Sequence, residues 1–194
     1  MRKLILASSS LRRKKFMTDL FGSNFIAHPS SYEENNNLNL KPELLAEKHA
    51  LGKARDVASH YTSGVIIAGD AFVVLNNKIL GKPKDEKDAF NMLKKQSEKS
   101  TKVISGLAVI DIDNNKEYVE HEITKVKMTK VTDEEILAYI KTKDPMDKAG
   151  SFGMQDKGAV FVEKINGCYS NVVGLPLPKL LKLLRKLKIK IFEY

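Results

Sequence analysis

The segment 65–83 constrains the fold more than any other part of the chain, because it combines a buried strand with a turn. Residues 65–68 and 72–75 are apolar runs of strand length. They are followed by Asn76-Asn77, a favourable pair for a two-residue hairpin turn. The pattern therefore predicts a β-hairpin inside the protein.

Two charged residues lie at the ends of this predicted hairpin. Asp70 stands where the buried strand emerges, and Lys82 lies just past the return strand, so we expect them to lie near each other. A carboxylate can hold a divalent metal through oxygen, and an ammonium can contact a phosphate, so the pair suits cleavage of a polyphosphate. The alternative is a surface ion pair without a chemical role.

Strands and helices alternate along the rest of the chain, without an internal repeat. Ser8-Ser9-Ser10 supplies N-cap candidates for a first helix, Asp85 for a later one, and Thr132 opens a capping box. This order favours a single α/β domain over residues 1–194, with a mixed sheet and flanking helices, rather than two domains. We predict strands over 3–7, 25–28, 103–112, 116–128 and 159–165, and helices over 11–20, 42–59, 86–95, 133–141 and 177–184.

The composition indicates a globular protein with anionic partners. The chain has 194 residues, of which 42% are hydrophobic, and this is enough for a sizeable core. Lys and Arg number 33 against 24 acids, and the net charge of +9 favours a nucleotide, nucleic acid or membrane surface as partner. The single cysteine, Cys168, excludes an internal disulfide and a cysteine-based zinc cluster.

No segment predicts membrane insertion. No apolar run approaches membrane-spanning length, and the opening one is too short for a signal peptide, so we expect a cytoplasmic protein. Basic residues are densest over 179–190, where leucines at helical spacing predict an amphipathic helix with a solvated lysine face. Membrane or RNA binding by this helix is the alternative. The four histidines show no metal-ligand spacing, and we expect them to be surface or partly buried residues.

The turn after the first predicted strand is a candidate anion site. A strand ending at Ala7, followed by Ser8-Ser9-Ser10 and a helix, would aim backbone N–H groups and hydroxyls at one point. Arg12 and Arg13 lie in the first helical turn, where cations oppose the helix dipole unless an anion is present. The glycine patterns of a Walker loop and of a dinucleotide fingerprint are absent, so neither site is supported.

Several ordered motifs, spread from Leu4 to about Leu184, together resemble the Maf family of nucleoside triphosphate pyrophosphatases. Each motif alone is weak, but their order and spacing make the resemblance specific. It implies an α/β fold of the Maf or ITPase-like kind, with a mixed twisted sheet, flanking helices and a central cleft. The motifs are Leu6–Arg13, Gly69-Asp70, Gly81-Lys82-Pro83, Pro145–Gln155 and Tyr169–Pro176.

The resemblance implies a reaction and a catalytic set. The reaction is hydrolysis between the α and β phosphates, giving a nucleoside monophosphate and pyrophosphate with Mg2+ or Mn2+. Asp70 matches the family's catalytic acid, as a metal ligand or as the base that takes a proton from water. Glu34 matches a second acid that would share the cation, and the adjacent Glu33 is hard to separate from it by sequence. Lys82 matches a lysine that holds the triphosphate. The resemblance also implies a homodimer.

Further positions match residues that bind substrate in the family. Lys53 matches better than Lys48, by its context and its distance from Asp70. Gln155 matches the base-reading position of the dTTP and UTP subgroup, where an amide can donate and accept toward a pyrimidine edge. The alternative for Gln155 is a buried structural amide. We expect the Asp147-Lys148 pair to order the loop in which the pair lies. The positions that match triphosphate binding are Ser8, Arg12, Arg13 and Lys53, with Lys82.

The chain also departs from the family pattern. Leu11 stands where proline is usual, which removes a preset first-turn φ but no ligand. Ala71 stands where most dTTP and UTP members carry threonine, so the preference for dTTP, UTP or modified pyrimidine nucleotides is less secure than the reaction. Gln96 and Glu98 replace the usual leucine and glycine around Ser97.

Two other functions are compatible with the sequence. One is a nucleotide-binding regulator of cell division with little turnover, and the other is a basic nucleic-acid-binding module. Retention of Glu34, Asp70 and Lys82 favours the enzyme, because a passive binder has no need of a metal-activated water. We therefore expect a nucleoside triphosphate as the partner, and neither a stable nucleic acid nor a membrane.

Overall fold

The computed structural model describes residues 2–193 as a mixed β-sheet with flanking helices. The strands are β1 (Leu4–Leu6), β2 (Ile26–Ala27), β3 (Val65–Leu75), β4 (Lys78–Leu80), β5 (Ser100–Asp111), β6 (Lys116–Met128) and β7 (Val162–Asn166). In the seven-stranded sheet their order is β2-β1-β3-β5-β6-β7, and β4 pairs with β3 outside this path. β1 is parallel to β2 and β3, whereas β4 and β7 are antiparallel to β3 and β6. The predicted α/β fold with a mixed sheet is therefore confirmed.

The helices begin where local side chains cap them. The Ser10 hydroxyl accepts a hydrogen bond from the Arg13 N–H, and the Asp85 carboxylate accepts one from the Asp88 N–H. Thr132 forms the predicted capping box. All three predicted N-caps are confirmed. The α-helices are α1 (Leu11–Phe21), α2 (Pro42–Ala58), α3 (Glu86–Gln96), α4 (Asp133–Lys141), α5 (Tyr169–Val173) and α6 (Leu177–Lys186).

β3 and β4 form the predicted hairpin. Asn76 and Asn77 have φ angles of 49° and 61°, the left-handed values that a tight two-residue hairpin turn requires. The register pairs Val73 with Leu80 and Leu75 with Lys78. The two apolar runs of the sequence belong to one continuous strand, because β3 runs through Gly69-Asp70 without a break.

The chain divides into two compact units, and several strands contribute residues to both. The first unit holds the chain up to Asp70, Ser105–Glu122, and the chain from Gly174 onward. The second unit holds Ala71–Ile104 and Ile123–Val173. The boundary between the units therefore falls inside β3, where Asp70 belongs to the first unit and Ala71 to the second unit.

The core of the first unit lies on both faces of β1 and β3. Leu4 and Leu6 pack with residues of α1 and α6, whereas Ile5 packs with Ala50 and Ala54 of α2. This alternation follows from the two-residue period of a strand. Complete burial of one such leucine or isoleucine contributes about 1.5–3 kcal/mol. Both faces are therefore covered, and α2 lies against the strand that carries Asp70.

The last strand begins later than the sequence predicts. The expected strand over 159–165 is Val162–Asn166, because Lys157–Phe161 forms a 3-10 helix. This helix brings Gly158 so close to α4 that an added Cβ would lie 2.6 Å from the Tyr139 hydroxyl. Tertiary packing therefore overrides the local strand preference at this point.

The C-terminal amphipathic helix is confirmed as α6. Leu180, Leu183 and Leu184 are fully buried, whereas Lys182 and Arg185 are exposed. The lysine face is thus solvated. Within residues 2–193, no helix combines the length and the apolar character needed to cross a membrane.

Candidate active site

Two acids that are distant in sequence meet at one lysine in the first unit. The Nζ of Lys53 lies 2.5 Å from Glu34 Oε1 and 2.6 Å from Asp70 Oδ1. The Asp70 residue is only 6% exposed, whereas the Glu34 side chain is 37% exposed. Glu33 is exposed, and the acid that faces Asp70 is its neighbour Glu34. The ammonium offsets the repulsion that two adjacent carboxylates would otherwise feel.

The close approach of α2 to the sheet places Lys53 at Asp70. Gly106 of β5 lies directly under α2, where an added Cβ would come within 2.1 Å of the Ala46 carbonyl oxygen. Ala50 and Ala54 of α2 are also fully buried against the sheet. Small residues on both surfaces therefore let the helix lie close to the strands, within reach of a lysine side chain.

The two carboxylate oxygens of Asp70 have different surroundings. Oδ1 accepts a hydrogen bond from Lys53, whereas Oδ2 is buried and has no hydrogen-bond partner among the described residues. A buried polar atom without a partner is costly and calls for an explanation such as an ion or a water. Carboxylate oxygens are the ligands that Mg2+ and Mn2+ prefer, so Asp70 and Glu34 fit a hard divalent cation.

Asp70 and Glu34 offer a cation two carboxylates, which are fewer ligands than a full coordination sphere. In the part of the chain that the structure describes, no group of three or more His, Cys, Asp or Glu residues could hold a metal. A cation between Asp70 and Glu34 would therefore take its other ligands from water and from substrate phosphates. This is the usual arrangement for Mg2+ in sites that process nucleotides.

Arg13 lies beside the acid pair and is held by its neighbours. Its Nε donates to the Gly174 carbonyl at 2.8 Å, and Nη1 donates to the Ser8 hydroxyl at 3.3 Å. Burial lowers the pKa of Arg13, and the charges of Asp70 and Glu34 oppose that shift. A guanidinium stays protonated at neutral pH in any case. The side chain is thus a fixed positive charge next to the two carboxylates.

The turn after β1 brings the Ser8 hydroxyl and two arginines to the start of α1. The Ser8 hydroxyl accepts from the Ser10 N–H at 3.2 Å, so it is fixed at the start of α1. The half-buried Arg12 has no ion-pair partner among residues 2–193, and the first turn of α1 contains no acid. Cations at this end of a helix are locally unfavourable, which agrees with a role in holding an anion.

Two predicted site residues, Lys82 and Gln155, lie in the second unit. Lys82 is exposed and follows Gly81, whose carbonyl accepts from the Gly150 N–H at 3.0 Å. Gln155 is half-buried in a turn, and its Nε2 donates to the Asp156 carboxylate. The expected proximity of Lys82 to Asp70, and the contact of Gln155 with a base, stay predictions.

Lys148 organises the loop that leads to Gln155. Its Nζ lies 2.8 Å from Asp147 Oδ1, 2.6 Å from the Asp144 carbonyl oxygen and 3.5 Å from Asp156 Oδ2. Burial disfavours its charge, but hydrogen bonds to Asp147 and Asp144 outweigh this effect and raise the pKa of Lys148. The expected structural role of the Asp147-Lys148 pair is confirmed. The sequence did not reveal Asp144 and Asp156 as further partners, because they are separated from Lys148 by turns.

Comparison with known proteins identifies the family of this chain. The sequence model of the family described as "Maf-like protein" matches residues 3–187, and the chain belongs to this family. A dTTP/UTP pyrophosphatase of Methanosarcina mazei is 49% identical over 193 residues, which cover 100% of this chain and 98% of that protein. A dTTP/UTP pyrophosphatase of Ruminiclostridium cellulolyticum is 47% identical, with 100% of both chains covered.

One solved structure supports the fold. A HAM1 protein from Coxiella burnetii aligns with a TM-score of 0.51 and 13% sequence identity, over 96% of this chain and 100% of that one. At this identity the likeness concerns the fold alone. It agrees with the Maf or ITPase-like architecture expected from the sequence motifs.

Proposed function

We propose that this protein hydrolyses nucleoside triphosphates between the α and β phosphates, releasing a nucleoside monophosphate and pyrophosphate. The observation that carries the proposal is the convergence of Glu34, Lys53 and Asp70, with an unpartnered buried oxygen on Asp70. Membership of the Maf-like family and full-length relatives named dTTP/UTP pyrophosphatase support it. The proposed substrates are dTTP, UTP or modified pyrimidine nucleotides.

A divalent cation, Mg2+ or Mn2+, is part of the proposal. Asp70 and Glu34 would hold it, and when bound it neutralises phosphate charge and lowers the pKa of water. Asp70 Oδ2 has no hydrogen-bond partner among the described residues, so this oxygen is available to the cation or to the proton of the attacking water. Lys53 already contacts both carboxylates, so it keeps them together before a cation and substrate arrive.

The cationic residues bind and orient the triphosphate in this proposal. Ser8 and Arg13 form one hydrogen-bonded pair beside the acids, and Arg12 precedes Arg13 in the same helical turn. An arginine suits a phosphate because its planar N–H groups match two oxygens at once. Lys82 adds a point charge for the pyrophosphate that leaves. Together these groups offset the charge that develops on the leaving phosphates.

Base preference is assigned to Gln155. Its amide can donate and accept toward a pyrimidine edge, but its Nε2 is engaged with Asp156 before substrate binds. The amide must therefore exchange this partner for the base, or use its carbonyl oxygen. Because Ala71 supplies no hydroxyl, we expect discrimination among pyrimidines to rest on Gln155.

The test is a panel of canonical and modified triphosphates, each assayed with Mg2+ and with Mn2+. We expect pyrophosphate and monophosphate in equal amounts, fastest with dTTP or UTP and absent when EDTA removes the metal. Release of orthophosphate would contradict the proposed bond cleavage. Steeply salt-dependent binding of RNA or DNA, without hydrolysis of any triphosphate, would favour a nucleic-acid-binding module instead. Sedimentation of the same preparation tests the proposed homodimer.

A further inference from the structure

One buried histidine contacts the chain on both sides of Glu34. Glu34 lies in the acidic loop, which we define as residues 29–40, between β2 and α2. The Tyr32 hydroxyl is 3.2 Å from Nδ1 of His49 on α2, and Asn36 Oδ1 is 3.2 Å from Nε2 of the same ring. A single imidazole therefore holds the residues two before and two after Glu34.

His49 is fully buried, with 0% of the residue exposed. The sequence predicts a surface or partly buried histidine, and for His49 this expectation is wrong because the acidic loop covers it. A buried imidazole needs partners for both nitrogens, since an unsatisfied buried nitrogen is costly. Tyr32 and Asn36 supply them. The contacts are thus required by the burial of the ring.

The partners assign the protonation of His49. A carbonyl oxygen such as Asn36 Oδ1 can only accept, so Nε2 carries the proton. In the neutral ring Nδ1 then accepts from the Tyr32 hydroxyl. Burial lowers the pKa of His49, and the charges of Asp70 and Glu34 only partly oppose the shift. The ring therefore joins Tyr32 and Asn36 in its neutral form.

Gly52 makes room for the Tyr32 ring. An added Cβ on Gly52 would lie 2.4 Å from Tyr32 Cε2 and 2.5 Å from Tyr32 Cζ. A glycine inside a helix costs about 1 kcal/mol relative to alanine, so it is unfavourable unless something needs the space. Gly52 and Lys53 lie three and four residues after His49, so all three residues share one face of α2.

We infer that His49 is a positioning residue, whose ring holds Tyr32 and Asn36 so that Glu34 faces Lys53 and Asp70. Gly52 seats the Tyr32 ring in this arrangement. The consequence for metal binding rests on the proposed function, whereas the restraint on the acidic loop does not. Removing either contact releases the loop and moves Glu34 away from Lys53.

The experiment compares two tyrosine variants that each remove one histidine–tyrosine contact. Tyr32→Phe loses the contact to His49, and the matched control Tyr61→Phe loses the 2.9 Å contact to His28. Hydrogen exchange of residues 32–38 is measured without metal or nucleotide. We expect it to become about fivefold faster in Tyr32→Phe, as for the loss of one hydrogen bond, and unchanged in Tyr61→Phe.

A second measurement connects the loop to Glu34. Titration with Mn2+ alone should show about tenfold weaker binding by Tyr32→Phe, the size of effect seen when a partner that orients a metal ligand is lost. At saturating Mn2+, kcat should recover while KM for the nucleotide stays raised. Gly52→Ala displaces the same ring and should behave alike. His49→Leu gives the largest effect if it folds, but the test does not depend on it.

Equal exchange in Tyr32→Phe and Tyr61→Phe would overturn the inference. Faster exchange with unchanged Mn2+ affinity would overturn it too, because the loop would then be held without consequence for Glu34. If the unmodified protein neither binds Mn2+ nor releases pyrophosphate, the proposed function fails. The exchange comparison still decides whether His49 restrains the loop in that case.

Discussion

At the scale of single residues, the site depends on the unequal surroundings of two carboxylates. Asp70 is buried and uses one oxygen for Lys53, whereas Glu34 is more exposed and reaches the same ammonium from a loop. The buried acid is therefore the candidate base, and the exposed acid is the one whose position the loop can change. Single substitutions can test both roles.

Replacing Asp70 by asparagine should abolish pyrophosphate release and leave nucleotide binding largely intact. The amide keeps the shape but takes no proton, and the loss of a positioned base costs about 10²–10⁴-fold in kcat. Pyrophosphate assays and equilibrium nucleotide binding measure the two effects. Asp19→Asn, at an exposed acid of α1, is the control and should be fully active. Equal turnover by Asp70→Asn would reject its proposed role.

Replacing Lys53 by methionine should destabilise the protein in the absence of metal. The change leaves Asp70 without its ion-pair partner, and we expect a loss of roughly 2–3 kcal/mol, less than for a fully buried pair. A divalent cation should restore part of the loss by taking the place of the ammonium. Urea unfolding with EDTA and with Mn2+ measures both effects. An equal response of variant and parent to Mn2+ would show that the cation binds elsewhere.

At the scale of elements, α2 connects the acidic loop to the sheet by more than one contact. Ser30 and Ser31 lie in the loop just before Tyr32. The Asp56 carboxylate of α2 accepts from the Ser30 hydroxyl at 2.7 Å and from the Ser31 N–H at 2.8 Å. These hydrogen bonds hold the pKa of Asp56 below its ordinary value. The start of the loop is thus fixed by a charged acceptor, and its middle by a neutral imidazole.

The Asp56 contacts should stabilise the protein in a pH-dependent way. A lowered carboxyl pKa contributes stability that is present above the unfolded pKa, about 4, and is lost as pH falls through the folded pKa. Asp56→Asn should therefore be less stable than the parent at pH 7, with a difference that disappears in acid. Urea unfolding across pH 2–7 measures it, with the exposed Glu163→Gln as control. A constant difference over this range would contradict the assignment.

A second contact between elements connects α3 to the segment that follows β4. The buried Gln96 at the end of α3 donates from Nε2 to the Gly150 carbonyl at 2.6 Å. The Gly150 N–H in turn donates to the carbonyl of Gly81, the residue before Lys82. Gln96 therefore connects α3, through Gly150, to the segment after β4 that carries the proposed phosphate-binding lysine.

Gln96→Leu should change stability by no more than about 1 kcal/mol. The lost bond to Gly150 costs about 1–3 kcal/mol, but the buried Gln96 Oε1, which has no partner among the described residues, disappears as well. We expect the segment around Lys82 to loosen and KM to rise severalfold. Thermal unfolding and steady-state kinetics separate the effects. Asn91→Leu, on the exposed side of α3, is the control, and an equal KM in both variants would contradict the connection.

At the scale of the whole molecule, the excess of positive charge favours an anionic substrate. The net charge is +9, and a nucleoside triphosphate carries several negative charges. Long-range attraction raises the rate of encounter and weakens as salt shortens the Debye length. We expect kcat/KM to fall about threefold or more between roughly 50 and 500 mM salt, with a smaller change in kcat. A salt-independent kcat/KM would show that only local contacts attract the substrate.

Local features of the sequence were sufficient for most elements. Ser10, Asp85 and Thr132 cap helices through their nearest backbone neighbours, and Asn76-Asn77 makes a turn from its own φ angles. Such features act over a few residues and therefore leave a readable pattern. Packing decided where the last strand begins: the local pattern predicted a start at Ala159, but Lys157–Phe161 forms a 3-10 helix and β7 begins at Val162.

The sequence by itself determined the mixed α/β fold, its caps and turn, and the residue types available for a phosphate and metal site. Only the tertiary structure decided that Glu34 rather than Glu33 meets Asp70 at Lys53, and that His49 is buried beneath the acidic loop. The reason is physical. The acidic loop is polar and has no periodicity, so nothing within it specifies its direction. Its direction comes from contacts with α2, which exist only after the helix has packed on the sheet.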